Sequence, residues 1–379
     1  MKVAFLTNIV TPYTHRLFER MGERMSGELH VFTCSETEPG RQWTVARPTH
    51  YALRALGGLR LHRSYVSHIY VNPGIMPALF RKRYDVVLLS DFSPTMIMAC
   101  AVARLQGIPV VISTDGQPDT DPGRTSRIHR LARRLIVPVS AAGVGASRGS
   151  VALLETYGLP REAGFVSPIA PGWDYTSEPP DFASRPFDVL FCGHLDDDRK
   201  GVLFFVDVVA ALIARGRRPT VRITGDGPLR AVVAERLDAL GVSARFDGYL
   251  GQAALADAYT SAKVFLFPSR GDPWGLVANE AIQCGTPVVA SPHAQAALEL
   301  IGPSGAGVVQ PLDVEGWADA TERFLDDRAA WDAAHAGAAR AIRAFSLDAM
   351  VNGYLAAFEQ VTSGSDHRSP GRFSAGPTA

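Results

Sequence analysis

One continuous run, residues 267–291, places the end of a buried strand, an acidic turn and a short helix side by side, and it constrains the fold more than any other part of the chain. The apolar residues 264–267 predict a buried parallel strand that ends where this run begins. Asp272 follows in the turn, Gly275 marks the start of the helix, and Glu280 lies one turn further along. Helix N-terminal amides suit a phosphate and carboxylates suit vicinal hydroxyls, so the run predicts a binding site for a polyhydroxylated anion.

Short apolar runs alternate with helical stretches along the whole chain, the pattern of parallel sheets with helical crossovers. This alternation predicts an α/β protein with two Rossmann-like domains whose ligands lie at the carboxyl ends of the strands. Strands are predicted at 3–6, 29–32, 86–89, 110–112, 143–145, 188–192, 221–224, 244–246, 264–267, 287–290 and 307–309, and helices at 16–25, 94–106 and 347–361.

Three stretches lack this alternation. Residues 41–70 are weakly patterned and predict an irregular insertion. Residues 166–187 are dense in proline and turn residues, which predicts an interdomain linker. Residues 362–379 are small, polar and rich in glycine and proline, which predicts a disordered tail.

Length and composition indicate an ordinary cytoplasmic globular protein. A chain of 379 residues, 46% hydrophobic and 20% charged, is large enough for two domains. A strand is predicted almost from Met1, which leaves no room for a signal peptide, and no apolar run approaches the ~18 residues of a membrane span. The four cysteines are far apart and have neither CxxC nor histidine-pair spacing, so we expect neither zinc nor disulfides.

Charge is distributed unevenly although the net charge is zero. Residues 1–150 carry 19 basic and 10 acidic side chains, a net +9, and residues 151–379 carry 19 and 28, a net −9. A basic half suggests an anionic partner, but no nucleic-acid motif accompanies it. Residues 127–136 form a basic amphipathic helix by their spacing, which fits either an anionic membrane surface or a solvent-facing helix.

The run 267–291 resembles the signature of the retaining, nucleotide-sugar-dependent glycosyltransferases of family four, the group 1 transferases of the GT-B fold. Their hallmark is an acid, seven residues and a glutamate, usually within Glu-Pro-Phe-Gly-Leu-Val-x-x-Glu-Ala. Asp272 here replaces the first glutamate, Trp274 replaces the phenylalanine, and Glu280 matches the second glutamate. The resemblance implies that Asp272 faces donor-sugar hydroxyls, that Glu280 holds the ribose hydroxyls, and that sugar and pyrophosphate are cradled by the amides of Trp274, Gly275, Leu276 and Val277.

These acids also have a simpler interpretation. Asp272 could be a solvated turn residue, and Glu280 could merely complement the helix dipole.

Residues 191–202 resemble the family's Gly-Arg-Leu…Lys-Gly element, whose arginine and lysine neutralise the donor pyrophosphate. Lys200 matches, whereas His194 stands where the arginine is expected. Three alternatives follow for the missing charge: Arg199 supplies it, a protonated His194 supplies it, or the phosphate contact is weaker. A lysine is needed because departure of a nucleoside diphosphate builds negative charge. A charged surface turn without function is the alternative for this element.

Two further elements, 221–230 and 244–251, also match family positions. The resemblance implies that the turn at Gly225 lets the backbone approach the nucleotide and that the backbone of Tyr249 and Leu250 lies where the base is read. Glycines in such turns are also common for folding reasons alone.

In the first domain, the resemblance points to residues that follow strands. Thr11, Pro12 and Tyr13 replace the family's glycine-rich loop and would place amides on the diphosphate. Asp115 occupies a position where many relatives have a histidine or aspartate near the reacting carbon, so it is the leading candidate for orienting the acceptor hydroxyl or taking its proton. Asp91, after the preceding strand, is the second candidate, and a capping or turn role is the alternative for both aspartates.

The resemblance covers nearly the whole chain and implies a GT-B architecture in which two Rossmann-like domains face each other across a cleft. The implied units are an acceptor-binding domain at 1–168, a nucleotide-sugar-binding domain at 187–345, a helix at 346–361 that returns to the first domain, and a tail at 362–379.

The implied activity is transfer of a hexosyl unit, with retention, from a nucleotide-diphosphate sugar to a hydroxyl acceptor. The donor is expected to be a UDP sugar, which is a co-substrate, and no cofactor or metal is expected. The acceptor would be a glycan, a lipid-linked group or a small molecule in envelope or exopolysaccharide synthesis. The expected location is the cytoplasm, with peripheral contact at the inner face of the membrane. A nucleotide-sugar epimerase or phosphorylase of the same fold, or a non-catalytic nucleotide-sugar-binding protein, are the alternatives.

Overall fold

The structure is a computed structural model that describes residues 1–36, 45–64, 67–119, 121–175 and 177–363. The chain divides into two compact units. The first is formed by Met1–Ser167 together with the chain from Val351, and the second by Pro168–Met350. Each unit contains a parallel sheet and its own hydrophobic core, so each is a Rossmann-like half.

The first unit is built on a parallel sheet with the strand order β3-β2-β1-β6-β7-β8-β9. The direction of winding reverses between β1 and β6, which makes the carboxyl ends of these two strands the topological switch point of the sheet. The strands are β1 (Lys2–Thr7), β2 (Glu28–Thr33), β3 (Ala52–Ala55), β6 (Val86–Leu89), β7 (Val110–Thr114), β8 (Ala142–Gly145) and β9 (Gly164–Val166), and an antiparallel pair is formed by β4 (Leu59–Ser64) and β5 (Ser67–Val71).

Helices of the first unit follow its strands. Thr11 begins the first helix with a capping box, since its hydroxyl accepts a bond from the Thr14 amide and Thr14 reciprocates, while Pro12 fixes the first helical residue. The helices are α1 (Pro12–Arg24), α2 (Ile75–Arg81), α3 (Pro94–Leu105), α4 (Arg127–Ile136) and α5 (Arg148–Thr156).

The second unit repeats this construction. Its parallel sheet has the order β12-β11-β10-β13-β14-β15, and β10, β11 and β13 are almost entirely buried. The strands are β10 (Phe187–Cys192), β11 (Val221–Thr224), β12 (Ala244–Gly248), β13 (Ala262–Phe267), β14 (Val288–Ala290) and β15 (Gly307–Val309). The helices are α6 (Val202–Ala214), α7 (Arg230–Ala239), α8 (Gln252–Thr260), α9 (Leu276–Gln283), α10 (Gly302–Ser304), α11 (Val314–Asp326) and α12 (Arg328–Ala341).

The final helix, α13 (Leu347–Ser363), belongs to the first unit from Val351 onward. The hydroxyl of Tyr354 lies 3.0 Å from Ser113 Oγ on β7, and its ring centroid lies 5.7 Å from that of Phe5 on β1. Among the residues that the structure describes, no helix combines the length and the apolar composition needed to cross a membrane.

The expected alternation of strands and helices is confirmed, with element ends that differ by one or a few residues. Residues 41–70 are not irregular throughout, because the edge strand β3 and the β4–β5 pair lie between residues 52 and 71. Residues 37–44 and 65–66 lie outside the described part. Residues 362–363 end α13 rather than begin a tail, and 364–379 are not among the described residues.

The predicted linker, 166–187, is part of a folded unit. Its first residue, Val166, ends β9 and its last, Phe187, begins β10. Between them, the carbonyl of Ile169 accepts a bond from Asn279 and that of Gly172 accepts one from Gln252. The side chain of Arg185 is fully buried. The stretch from residue 168 is therefore packed into the second unit, apart from Thr176, which is not described.

Candidate functional site

The donor-site residues predicted in the second unit gather at one edge of its sheet. They follow β10, β11, β12 and β13, which are neighbours in the sheet and run parallel. Because the carboxyl ends of parallel strands meet at the same edge, loops that are distant in sequence are brought together there.

Lys200 and Asp272 form the charged centre of this edge. Lys200 Nζ lies 2.5 Å from Asp272 Oδ2, and the two side chains are only 16% and 13% exposed. The pair joins the loop after β10 to the loop after β13. Partial burial strengthens the attraction, so the lysine and the acid are held in one fixed arrangement.

The acids that precede Lys200 shape its loop. Asp196 Oδ1 accepts bonds from the amides of Arg199 and Lys200 at 3.1 and 2.8 Å. Asp197 accepts a bond from the Leu203 amide at 3.1 Å and contacts Arg270 at 3.2 Å. Both carboxylates are thus engaged in holding the turn.

Arg199 itself is placed with its backbone toward the loop after β13. Its carbonyl accepts bonds from the Arg270 amide at 2.7 Å and from Ser269 Oγ at 3.0 Å. Among the described residues, no group of three or more His, Cys, Asp or Glu is placed to hold a metal ion.

His194 lies at the rim, where its Nδ1 is 3.1 Å from the hydroxyl of Tyr249. That hydroxyl also donates to the carbonyl of Asp226 at 3.4 Å, and the Tyr249 side chain is 48% exposed. Gly225 is buried beneath them and its amide donates to the Gly248 carbonyl at 2.8 Å. A Cβ on Gly225 would lie 1.9 Å from the Gly193 carbonyl oxygen, so only glycine permits this close approach. Leu250 follows Tyr249 and is half-buried.

Trp274 is a buried packing residue, only 3% exposed. Its indole N–H donates to Asn279 Oδ1 at 2.8 Å and its ring stacks on Phe345 with centroids 5.6 Å apart. Gly275 follows with φ +96°, and a Cβ there would lie 2.8 Å from the Phe267 ring. Trp274 therefore fixes the turn from which α9 starts.

The start of α9 provides backbone N–H donors at the sheet edge. Leu276 and Val277 are its first two residues, and both are half-buried. The first amides of a helix have no partner within the helix, which makes this end of α9 suited to an anion.

Glu280 lies one turn into α9 and is 9% exposed. Tyr259 on α8 donates its hydroxyl to Glu280 Oε2 at 3.0 Å. Burial raises the pKa of the Glu280 carboxyl to about 7, against the opposing effects of Tyr259, Trp173 and Lys200. Glu280 is therefore a buried, hydrogen-bonded carboxyl group and not a solvent-exposed residue that only complements the helix dipole.

The residues predicted in the first unit follow three neighbouring strands. Thr11, Pro12 and Tyr13 follow β1 and start α1, Asp91 follows β6, and Asp115 follows β7 and is exposed. Asp91 Oδ1 accepts a bond from the Ser93 amide at 2.7 Å, and burial raises the pKa of its carboxyl. These residues meet at the carboxyl edge of the first sheet, beside its switch point.

Sequence reasoning missed two side chains that favour the ionised form of the Glu280 carboxyl. Tyr259 is at the end of α8 and Trp173 is in the stretch interpreted as a linker. Neither belongs to a recognisable motif, and only the fold brings them to α9.

Comparison with known families agrees with this geometry. Residues 186–327, which contain Lys200, Asp272 and Glu280, match the family described as glycosyl transferases group 1. The matched segment is just over a third of the chain, and over it the chain is similar to the group 1 glycosyl transferases.

The chain is also similar to curated proteins from several sources. The chain is 32% identical over 146 residues to the alpha-D-kanosaminyltransferase of Streptomyces kanamyceticus, covering 38% of this chain and 37% of that one. It is 28% identical over 295 residues to the D-inositol 3-phosphate glycosyltransferase of Pseudarthrobacter chlorophenolicus, covering 69% and 67%. It is 25% identical over 356 residues to the sulfoquinovosyl transferase SQD2 of Arabidopsis thaliana, covering 84% and 64%. The match thus spans just over a third of the first relative and about two thirds of the others.

Solved structures share the fold over nearly the full length. Anabaena Alr3699/HepE in complex with UDP and glucose superimposes with a TM-score of 0.69 at 16% identity, covering 97% of this chain and all of that one. WaaG, a glycosyltransferase involved in lipopolysaccharide biosynthesis, gives 0.65 at 17% identity, covering 96% and 100%. The GT-B fold with two Rossmann-like halves is therefore confirmed.

Proposed function

We propose that the protein is a retaining glycosyltransferase that moves a hexosyl unit from a UDP sugar to a hydroxyl acceptor in envelope or exopolysaccharide glycan synthesis. The observation that carries the proposal is the arrangement after β13, where the Lys200–Asp272 pair and the start of α9 lie at the same sheet edge with Glu280 one turn beyond. A diphosphate requires a cation and backbone amides, which Lys200 and the start of α9 provide. The ribose hydroxyls require an acceptor, which the Glu280 carboxylate provides.

UDP is favoured as the nucleotide by analogy. Alr3699/HepE, which shares the fold, binds UDP and glucose. In this chain, Tyr249 and Leu250 after β12 would read the base, and Glu280 would accept hydrogen bonds from the ribose hydroxyls. The half-buried start of α9 would receive the pyrophosphate.

The chemistry follows from the same groups. As the bond between the sugar C1 and the diphosphate oxygen breaks, its electrons pass to the diphosphate, and Lys200 and the α9 amides stabilise the new charge. Asp272 orients the sugar hydroxyls while it holds Lys200. The acceptor oxygen attacks C1 from the same face, and its proton passes to the departing phosphate oxygen, with Asp115 or Asp91 orienting the hydroxyl.

A thermal-shift panel of UDP, GDP, ADP, TDP and NAD tests the donor class. A ligand at ~100 times its dissociation constant adds about 2.7 kcal/mol to the free energy of unfolding. We expect a shift with UDP that disappears in Lys200→Ala and Glu280→Ala. Lys263→Ala is a matched control, because Lys263 pairs with Asp188 at 2.8 Å with both side chains 21% exposed, at the opposite end of β13.

The outcomes separate the rival functions. A shift with NAD alone, or with no diphosphate, would contradict the proposal. A nucleotide-sugar epimerase would convert the donor without an acceptor, and a non-catalytic binder would bind UDP sugar without turnover.

An NMR spectrum of the product's anomeric proton tests retention. Transfer should be undiminished in EDTA, because the proposed mechanism uses no metal.

We also propose that the exposed face of α4 contacts the surface of an anionic bilayer. Ile128, Leu131 and Leu135 form one stripe and are 78%, 57% and 49% exposed. Arg127 and Arg134 flank that stripe, are exposed, and pair with no acid among the residues described. An apolar stripe bordered by arginines complements an anionic lipid surface, with the side chains inserted at headgroup level.

Co-sedimentation with phosphatidylcholine vesicles, with and without phosphatidylglycerol, tests this contact. We expect binding to be much stronger when phosphatidylglycerol is present, and to be lost in Leu131→Glu. Leu298→Glu is the control, since Leu298 is 50% exposed in the second unit. Equal binding by wild type and Leu131→Glu would remove α4 from the proposal.

A further inference from the structure

The chain that leads to Trp173 is bonded both to α9, which carries Glu280, and to α8, which carries Tyr259. The carbonyl of Ile169 accepts a bond from Asn279 at 2.9 Å, and Asn279 precedes Glu280 on α9. The carbonyl of Gly172 accepts a bond at 3.1 Å from Gln252, the first residue of α8. The first bond attaches the chain to α9 four residues before Trp173, and the second attaches it to α8 at the residue immediately before Trp173.

The indole of Trp173 is buried, 8% exposed, and its nitrogen reaches no hydrogen-bond partner among the described residues. A buried N–H without a partner is costly, and such donors are rare in native structures. The Glu280 carboxyl is close enough for the Trp173 N–H to favour its ionised form, although the two groups do not meet the geometry of a normal hydrogen bond. Tyr259 already donates to the same carboxyl from α8 at 3.0 Å.

We propose that Trp173 is a positioning residue that, together with Tyr259, holds the Glu280 carboxylate ionised and oriented for the ribose hydroxyls of the donor. The Tyr259 hydroxyl binds one carboxylate oxygen, Oε2, and a carboxylate has further acceptor sites that could receive the ribose hydroxyls. The inference rests on the proposed function, because it assigns the ribose to Glu280. Trp173 does not itself touch the donor.

Several titratable groups face Glu280, and they set what a pH experiment should show. Tyr259 on α8 and Cys192 on β10 have raised pKa values because of burial, as does Cys284 at the end of α9. Lys200 is the nearby cation that favours the ionised carboxyl. Glu280, whose pKa burial raises to about 7, is therefore the group that changes charge near neutral pH.

The first test is the pH dependence of UDP affinity in wild type and Trp173→Phe. Loss of one charge-assisted donor should move the midpoint of binding upward by about one pH unit, which weakens UDP binding about fivefold at pH 7 and much less at pH 9. Tyr259→Phe should shift it in the same direction. Trp317→Phe is the control, because its buried indole donates to the Pro311 carbonyl at 2.7 Å.

The second test needs neither nucleotide nor a Trp173 variant. In a nitrogen-15 NMR spectrum of the wild-type chain, one of the five indole N–H signals should move with a midpoint near pH 7. That movement should be absent in Glu280→Gln. The inference would be overturned if the pH dependence of UDP affinity were unchanged in Trp173→Phe. It would also be overturned if no indole signal changed its pH dependence in Glu280→Gln. Failure of UDP to bind wild type would instead overturn the proposed function, and the NMR result would still decide the role of Trp173.

Discussion

At the scale of single residues, the site depends on a pair that the sequence could not join. Family-like motifs predict Lys200 and Asp272 separately, for the pyrophosphate and for the sugar. They are 72 residues apart and meet only because β10 and β13 are adjacent in the sheet. Because Asp272 pairs with Lys200, the lysine that would bind the diphosphate is already oriented before the ligand arrives.

The Lys200 ammonium should therefore be specific for the phosphates. Lys200→Met is expected to weaken UDP binding roughly 10- to 100-fold, the effect of losing a hydrogen bond to a charged group, and to leave uridine binding unchanged. Calorimetric titration with both ligands measures this. Equal weakening for UDP and uridine would instead indicate that the variant damages the fold.

The ionisation of Glu280 affects the free energy of unfolding as well as ligand binding. Burial raises the pKa of its carboxyl from 4.5 to about 7, so between these pH values the folded chain keeps a proton that the unfolded chain has released. The free energy of unfolding therefore falls as pH rises through this window and stays lower above it. Glu280→Gln cannot ionise, so it should be more stable than wild type at pH 8, by on the order of 2 kcal/mol, and similar at pH 5.

Denaturant unfolding of wild type and Glu280→Gln at the two pH values measures this difference. Parallel pH dependence in the two proteins would show that Glu280 is not the buried titrating group. The same variant should lose UDP binding, so stability and function change in opposite directions.

At the scale of elements, α9 is fixed at both ends. Gly275 begins it in a left-handed conformation against the Phe267 ring. At the other end, the buried guanidinium of Arg185 donates to the carbonyls of Cys284 and Gly285 at 3.1 and 3.3 Å. A cation at a helix C-terminus is favourable, and burial lowers the pKa of Arg185 to about 10 without removing its charge at neutral pH.

Replacing Arg185 should destabilise the second unit. The guanidinium also donates to the carbonyls of Tyr259 and Ala262 and to Thr286 Oγ1. Arg185→Met would leave several buried acceptors without partners, at a cost of about 3 kcal/mol or more. A melting temperature within one or two degrees of wild type would contradict this role.

Gly275→Ala tests the other end of α9. A Cβ would lie 2.8 Å from the Phe267 ring at a φ of +96°, so we expect about 1–3 kcal/mol of destabilisation and weaker UDP binding. Gly271→Ala, in the same loop, is the control because a Cβ there meets nothing within 4 Å. Equal effects of the two substitutions on melting temperature and affinity would contradict the account of the turn.

The sequence predicted most elements because apolar strands between helices are a strong signal, as in β6 and β13. It missed β3, an edge strand whose four residues are all exposed, and β9, which has only three residues. Neither shows the burial pattern on which strand prediction depends. Proline-rich composition also misled the interpretation of residues 168–186, whose packing depends on long-range bonds to Asn279 and Gln252.

At the scale of the whole molecule, the uneven charge is partly structural. Arg133 on α4 is buried and its guanidinium lies 2.5 Å from Asp121, and Arg130 donates to the carbonyls of Gly123 and Arg124. Of the four arginines of that helix, only Arg127 and Arg134 are exposed. We therefore expect vesicle binding to weaken as salt is raised but not to vanish, because the apolar stripe also contributes. Complete loss of vesicle binding at moderate salt would assign the contact to charge alone.

One sheet edge of the second unit is proposed to bind the nucleotide of a UDP sugar. Calorimetric titration of the full chain with UDP tests it most directly, with Lys200→Met, Glu280→Gln and Lys263→Met alongside. We expect one UDP to bind per chain, with affinity at least tenfold weaker in the first two variants and unchanged in the third. Absence of binding in wild type, or equal affinity in all four proteins, would contradict it.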